Sequence, residues 1–459
     1  MSFRGALLDR LRGLDARRRY PLYLESQRDA PAARRRAQGE SLRSLLMAAA
    51  DAPYYTPLIE KARKRAGDDP WACLAELPVL TRSTVRAAGD RMFTSEAQGR
   101  GKARAKATGG STGEPLRYAL SPAAQSAQWA HLWRAWQVGG YRPGDPLGVV
   151  AGRSLLAGDG VRRIIYARLQ NWTTLDAFSL DEASMDRFAH ALDRHHVRYL
   201  YGYASALELF ARWLATQATR PVLSAVFTTA EELLPAARAA IEAGTRAPVF
   251  DTYGANDGGI SAFECEAHDG MHVGEERALV EVLRDDDSAA APGEVGRVVS
   301  TDLLNDVFPF LRYEVGDLGA LDPTPCRCGR TLVRLMRLSG RLSDVLLLPD
   351  GRRVHGELFS HLLRRRTEVR RFQAIQTAPH AIEVRIALTE STREEAKRPL
   401  LDTLRAELTA LLPGVRIELR VTEEFTRTAA GKVPLVMARA AREESRSPLS
   451  GDAPHAPGW

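Results

Sequence analysis

Apolar positions follow a helical period early in the chain and a strand–helix alternation through its middle. In "SPAAQSAQWAHLWRAWQVGG" (121–140), Trp129, Trp133 and Trp136 recur on one helical face. Ser121 is placed to cap that helix, Pro122 suits its first turn, and Gly139 with Gly140 ends it. The tryptophan stripe reads first as a core-facing surface and only second as a ligand-stacking one. From about 145 to 260, "PLGVVAG", "LSAVFTT" and "APVFDTYG" read as strands. "SALELFARWLATQ" and "LPAARAAIEAG" between them read as helices. This alternation predicts an α/β fold, its large domain built on mostly parallel sheets flanked by helices. Ligands of such sheets collect beyond the carboxyl ends of the strands, which marks "TTAEE" (228–232) and "TYGANDGG" (252–259) as candidate site segments.

The ends of the chain differ from this middle. Residues 1 to about 50 read as a basic helical arm. After "GRLSD" (340–344) the pattern becomes a small α+β domain, in which "AIEVRIALT" and "VRIELRVTEEF" alternate as strands do. The stretch between them (391–414) reads as a helix, with Ser391 and Glu394 spaced as a capping box. Pro399 either kinks that helix or marks its true start. The expected domains are therefore 1–340 and 341–443, with a polar, proline-containing tail at 444–459 expected to be disordered.

Composition narrows the function classes. No segment approaches the roughly 18–20 apolar residues of a membrane span. The opening residues carry no continuous apolar stretch or small-residue cleavage site, so the chain is expected to be cytoplasmic. The net charge of +7 comes from arginines dispersed among nearly as many acids, without the basic stripe of a nucleic-acid binder. Lysine is confined to Lys61, Lys64, Lys102, Lys106, Lys397 and Lys432. Four cysteines in 459 residues are too few for a disulfide framework.

Two groups of residues carry candidate chemistry. "KATGGSTGEPL" (106–116) sets Gly109, Gly110 and Gly113 among Thr108, Ser111 and Thr112, so that backbone N–H groups and hydroxyls can converge on an anion. Glu114 stands where a Walker loop requires lysine, and "LRYALS" after it alternates like a strand, which disfavours a helix-capped phosphate site. Taken alone, the loop could equally be an ordinary Gly/Ser turn. The second group is Cys265, His272, Cys326 and Cys328: three thiols and an imidazole suffice for a closed tetrahedral Zn²⁺ site. His268 competes for the fourth position, and buried free cysteines are the alternative. Cys73 stands apart as an ordinary core residue.

The loop is followed in order by "TYGAND", "FPFLRYEVGD" (308–317), "SGRLSD" (339–344) and "TRTAAGKVP" (426–434). This series resembles the signatures of the adenylate-forming superfamily of acyl-CoA synthetases, peptide-synthetase adenylation domains and luciferases. The phenylacetate–CoA ligase-like branch, with its capsule-biosynthesis-type members, is closer, through "GGYRPGD" (139–145) and the "HDGMHV…CRCGR" elements. The resemblance implies a large amino-terminal domain with a small mobile α+β domain. It implies ATP, Mg²⁺ and CoA as cofactors, a small carboxylic acid as substrate, and homodimers, with some members of the branch carrying zinc.

By the same resemblance, Thr108, Gly109, Gly110, Ser111, Thr112 and Gly113 cradle the β- and γ-phosphates. Tyr253 stacks near the adenine, with Gly254, Ala255 and Asn256 also binding the nucleotide, and Glu231 matches an acidic position in that pocket. Asp317 accepts hydrogen bonds from the ribose, and Arg341 also reaches it. Asp257 stands where the family usually has a Mg²⁺-holding Glu, one methylene longer. Lys432 is the expected catalytic lysine, entering from the small domain to stabilise charge during adenylation. "GRLSD" matches the interdomain hinge, although Ser343 replaces the usual Asp or Lys. Trp133, Tyr201, Tyr203, Phe250 and Ala255 are candidate acyl-pocket residues on neighbourhood alone, suiting an aromatic or medium-sized apolar acid. The implied activity is formation of an acyl-adenylate with release of pyrophosphate, followed by acyl transfer to CoA. Transfer to an amine is the alternative within that chemistry, and a non-catalytic nucleotide-binding scaffold is the alternative outside it.

Overall fold

The computed structural model describes residues 9, 13–95, 103–107, 116–152, 160–177, 180–336, 345–348, 353–355, 357–363, 366, 368–378, 380–389, 392–426, 433 and 436–437. The described residues separate into two compact units, the first running to Met336 and the second from Val345.

The first unit opens with helices at Ala16–Ser26, Pro31–Ala49 and Thr56–Ala66. A two-stranded antiparallel hairpin follows, β1 (Arg104–Ala107) with β2 (Arg117–Leu120). The main sheet begins with β3 (Leu147–Ala151), β4 (Trp172–Asp176), β5 (Tyr199–Tyr203), β6 (Ala225–Thr229) and β7 (Val249–Ala255). These five strands pair in parallel in the order β4-β3-β5-β6-β7; β3, β6 and β7 and the parallel pairing are as the sequence predicts, whereas β4 and β5 are not read from it. The helices Pro122–Gln137, Glu182–Arg194, Ala204–Ala215 and Pro235–Thr245 join them in one apolar core containing Trp136, Phe188, Phe210, Phe227 and Ile241.

The sheet then continues as antiparallel strands that periodicity does not announce. They are β8 (Ile260–Glu264), β9 (Met271–Val273), β10 (Ala278–Leu283), β11 (Gly296–Asp302), β12 (Tyr313–Asp322) and β13 (Arg334–Met336). The complete order among the described residues is β10-β11-β12-β13-β9-β8-β7-β6-β5-β3-β4. Strand β7 is the junction: it is parallel to β6 up to Asp251 and antiparallel to β8 from Thr252 onward.

The amino-terminal arm is built into this unit. Arg34 donates to Glu275 at 3.2 Å and Gln38 to the Glu275 carbonyl at 3.0 Å. Gln27 accepts from Arg330 Nε at 3.0 Å, and Arg134, buried on the Pro122–Gln137 helix, pairs with Glu276 at 2.7 Å. Arg134 also donates to the Tyr23 carbonyl at 3.0 Å and Glu276 accepts from Ser26 Oγ at 2.5 Å, so the arm is tied to a buried ion pair that neither partner can lose without leaving an uncompensated charge.

The second unit contains the short hairpin β14 (Val345–Leu347) with β15 (Arg353–His355) and a four-stranded sheet. That sheet orders β16 (Val369–Ala378), β17 (Ala381–Leu388), β18 (Arg416–Val421) and β19 (Val436–Met437) as β18-β17-β16-β19. The helix Glu394–Leu411 buries Leu400, Leu404 and Leu408 in its core. Its N-cap is Arg393, without a side-chain cap bond, so the capping box drawn on Ser391 places the start differently; Ser391 itself lies outside the described residues. Pro399 lies inside the helix rather than at its start. Lacking an N–H, it forfeits one backbone bond there. Among the described residues no helix is long and apolar enough to cross a membrane.

Candidate functional site

The phosphate-loop residues Thr108, Gly109, Gly110, Ser111, Thr112 and Gly113 lie outside the described residues, as do Arg341, Ser343 and Lys432. The strands on either side of the loop are described. They pair from Arg104↔Leu120 to Ala107↔Arg117, so a strand and not a helix follows the loop.

The end of β7 and the turn after it face β12 through two tyrosine–aspartate pairs. Tyr253 donates its phenolic hydrogen to Asp317 Oδ2 at 2.6 Å, and Tyr313 donates to Asp257 Oδ2 at 3.2 Å. Each segment thus supplies a Tyr and an Asp four residues apart, in crossed order. Strands β13, β9 and β8 lie between β12 and β7 in the sheet, so these pairs join segments that no ladder hydrogen bond connects. Tyr253, Asp257 and Asp317 are half-buried, Ala255 is half-buried, and Gly254 and Asn256 are exposed. The turn is held from beneath: Ser300 Oγ donates to the Gly258 carbonyl at 2.7 Å. Gly259, at φ +78°, leaves room where a Cβ would fall 2.5 Å from Asp302 Cγ. Asp302 in turn forms a fully buried pair with Arg277 at 2.7 Å. Burial and the nearby charge of Asp257 both push the Tyr313 phenol well above its ordinary range, so it remains a donor.

Glu231 follows Ala230, whose φ of +68° is strained for a residue with a Cβ. The Glu231 carboxylate accepts from the Ser205 backbone N–H at 2.8 Å. That places a negative charge against the first turn of the Ala204–Ala215 helix, where the helix dipole favours it.

Periodicity and motif reading missed Asp251, buried at the parallel end of β7. It accepts from Thr228 Oγ1 at 2.6 Å and from the Thr252 N–H at 3.0 Å. Burial, reinforced by the neighbouring charge of Glu264, raises its pKa to about 7. A carboxylate inside the apolar run "PVFDTYG" was the available signal.

Beside this region Cys265, His272, Cys326 and Cys328 converge, their candidate ligand atoms all within 4.8 Å of one another. The Cys265 and Cys326 sulfurs are 3.8 Å apart, and Cys328 Sγ is 3.3 Å from His272 Nε2. A tetrahedron with Zn–S bonds of ~2.3 Å has S···S edges of about 3.8 Å, so the cluster has the dimensions of a closed zinc site. It is far too open for a disulfide, whose S–S bond is ~2.05 Å. Burial lowers the His272 pKa to about 4, helped by the positive charge of Arg330, and the neutral imidazole is the form that binds metal. Without a cation, burial raises Cys265 to about 12, with Cys328 and Cys326 adding to it. Cys328 is drawn the other way: burial opposes its ionisation, but hydrogen bonds from Arg330 hold it below the usual thiol range. His268 is outside the cluster. It stacks on Phe250 at 5.4 Å and lies 3.3 Å from Glu264.

Of the candidate acyl-pocket residues, Trp133, Tyr201, Tyr203 and Phe250 are all buried in the main apolar core. Trp136 packs on Tyr201 at 4.8 Å and Phe227 on Phe250 at 6.1 Å.

No protein-family model matches the chain. A stretch of 123 residues is 35% identical to phenylacetate-coenzyme A ligase of Thermus thermophilus and 33% identical to that of Escherichia coli. This stretch is 26% of the chain, and the chain spans 28% of the length of each of these curated relatives. Among solved structures, 2-hydroxyisobutyryl-CoA ligase in its postadenylation state, bound to an acyl-AMP, is similar over 92% of this chain and 93% of its own. The TM-score is 0.69 at 19% identity. The same ligase in its thioesterification state, with acyl-AMP and CoA, matches at a TM-score of 0.56, 20% identity, 91% of this chain and 93% of its own. Over these spans the chain shares the fold of this ligase, a large mixed sheet followed by a small α+β unit.

Proposed function

We propose that the chain is an ATP-dependent ligase that activates a carboxylic acid. A carboxylate oxygen attacks the α-phosphorus of ATP and the bond from that phosphorus to the bridging oxygen breaks. Pyrophosphate leaves, and the acyl-adenylate then passes its acyl group to the thiol of CoA, releasing AMP. The observation that carries this proposal is the Tyr253–Asp317 pair. It joins the "TYGAND" and "YEVGD" segments at the end of β7, just beyond the last parallel partners Thr228↔Asp251. An ionised carboxylate has about four acceptor sites, so Asp317 can receive the Tyr253 phenol and ribose hydroxyls together.

The remaining roles follow the motif order. Thr108, Gly109, Gly110, Ser111, Thr112 and Gly113 hold the departing phosphates, Arg341 assists at the ribose, and Lys432 stabilises charge as the α-phosphate is attacked. Asp257 is an oxygen ligand of the kind Mg²⁺ takes alongside nucleotide phosphates, and the cation would neutralise charge on them. Residues 340–344 serve as the hinge between the 1–340 and 341–443 domains. The Cys₃His cluster holds zinc as a structural staple, since four protein ligands leave no open position for catalysis. The burial of Trp133, Tyr201, Tyr203 and Phe250 means that an aromatic acid is supported by the named relatives rather than by these side chains.

The test is exchange of labelled pyrophosphate into ATP across a panel of carboxylic acids led by phenylacetate, with the product then analysed in the presence of CoA or of amines. Exchange should depend on the acid and fall ~10²-fold or more in Lys432→Ala, the scale for losing one preorganised charge partner. Undiminished exchange in that variant removes the role given to Lys432. ATP binding without acid-dependent exchange would favour a non-catalytic nucleotide-binding protein.

A further inference from the structure

We infer that Tyr313 is a positioning residue for Asp257: its phenol fixes the one carboxylate of the 252–257 segment that can hold the divalent cation accompanying ATP. This rests on the nucleotide-binding role proposed above for that segment.

Three observations carry it. Tyr313 itself has little freedom. It is buried, its ring lies 4.9 Å from that of Phe310, and its backbone is registered against Ser300 and bridged to Leu80. Asp257, by contrast, sits on a turn and is half-buried, so its broad terminal torsion would let the carboxylate swing. The turn backbone is already pinned by Ser300 at Gly258 and by the close fit of Gly259 on Asp302; the Tyr313 bond at 3.2 Å fixes the side chain as well. Lastly, the Tyr253–Asp317 pair beside it uses the same chemistry in crossed order. The two segments that would embrace a nucleotide are thereby locked at both ends.

The pairing also accounts for the short side chain. A glutamate at 257 would carry its carboxylate one methylene further from the turn, away from the position that the buried phenol addresses. A single phenolic hydrogen occupies one of about four acceptor sites, so a cation can still be bound by the remainder.

Calorimetric titration of the full chain with ATP tests this, in excess magnesium and again with magnesium removed by EDTA. Tyr313→Phe keeps the ring and removes only the donor. It should weaken binding about tenfold with magnesium, the scale of one hydrogen bond to a charged group, and leave binding without magnesium unchanged within about twofold. Asp257→Asn should do the same, and the double variant should be no weaker than Asp257→Asn alone, because the phenol acts through the carboxylate. Equal weakening with and without magnesium would make Tyr313 a packing residue only. Additive losses, or no loss in Tyr313→Phe, would also overturn the inference. If Asp257→Asn leaves the magnesium dependence intact, the cation role of Asp257 fails and the inference with it. If the native chain binds no ATP, the proposed function is what fails.

Discussion

Asp251 shows how one buried side chain sets a pH response. Its pKa rises on folding from 3.8 to about 7, chiefly through burial. Thr228, Thr252 and Arg238 favour its charged form and Glu264 opposes it. Between these two values the folded chain holds a proton that the unfolded chain has released, so this residue's contribution to stability falls as pH rises from about 4 to 7 and levels off above. Asp251→Asn should therefore be more stable than the native chain near pH 8, with the difference shrinking toward pH 5. Thermal midpoints measured across that range check the sign. The segment holding Thr228 was legible in the sequence but Asp251 was passed over, although it is a charge within an apolar strand, and their contact was hidden because the two meet only through β6–β7 pairing. The crossed tyrosine–aspartate pairs were hidden in the same way. Each motif was visible, but a contact between segments some sixty residues apart is a property of the sheet.

Among the elements, the Pro122–Gln137 helix was the most legible, because its signals are local. Ser121 Oγ accepts from the Ala124 N–H at 3.1 Å, and its hydroxyl also donates to the Leu304 carbonyl at 2.8 Å. Ser121→Ala should lower stability by about 1–2 kcal/mol, read as a shift of the denaturation midpoint that Ser121→Thr largely restores. Strands β3, β6 and β7 were legible because buried strands are continuous apolar runs with sharp boundaries, whereas β4, the polar and half-exposed WTTLD, was not. The antiparallel half was not. Strands β9 and β13 are three residues each, too short for a period to emerge, and β13 is the sequence Arg334, Leu335, Met336. The Glu394–Leu411 helix was legible as an element but the role of its proline was not: the apolar face that packs in the core carries the helix past Pro399, which local propensity alone leaves open as a start.

At the scale of the whole molecule, the Cys₃His cluster and the amino-terminal arm meet on one loop. Cys326 and Cys328 precede Arg330 and Thr331, which bond to Gln27 just past the first helix and to Arg34 on the second. Metal analysis of purified, tag-free protein should give about one zinc per chain, and chelation should lower the thermal midpoint of the first unit. Substitution of Cys326 by serine should reproduce that loss, whereas His268→Ala, which removes no member of the cluster, should retain the metal.

This convergence has a temporal side. Cys265 and His272 leave the ribosome first and hold only half of a coordination shell, and β9 lies waiting for β13 as a partner. The second half arrives on a loop whose anchors, Gln27 and Arg34, are made earlier than any of the four. With zinc bound by all four residues, as proposed above, a filled site would require the segment carrying β13 to have come back to the one carrying β9.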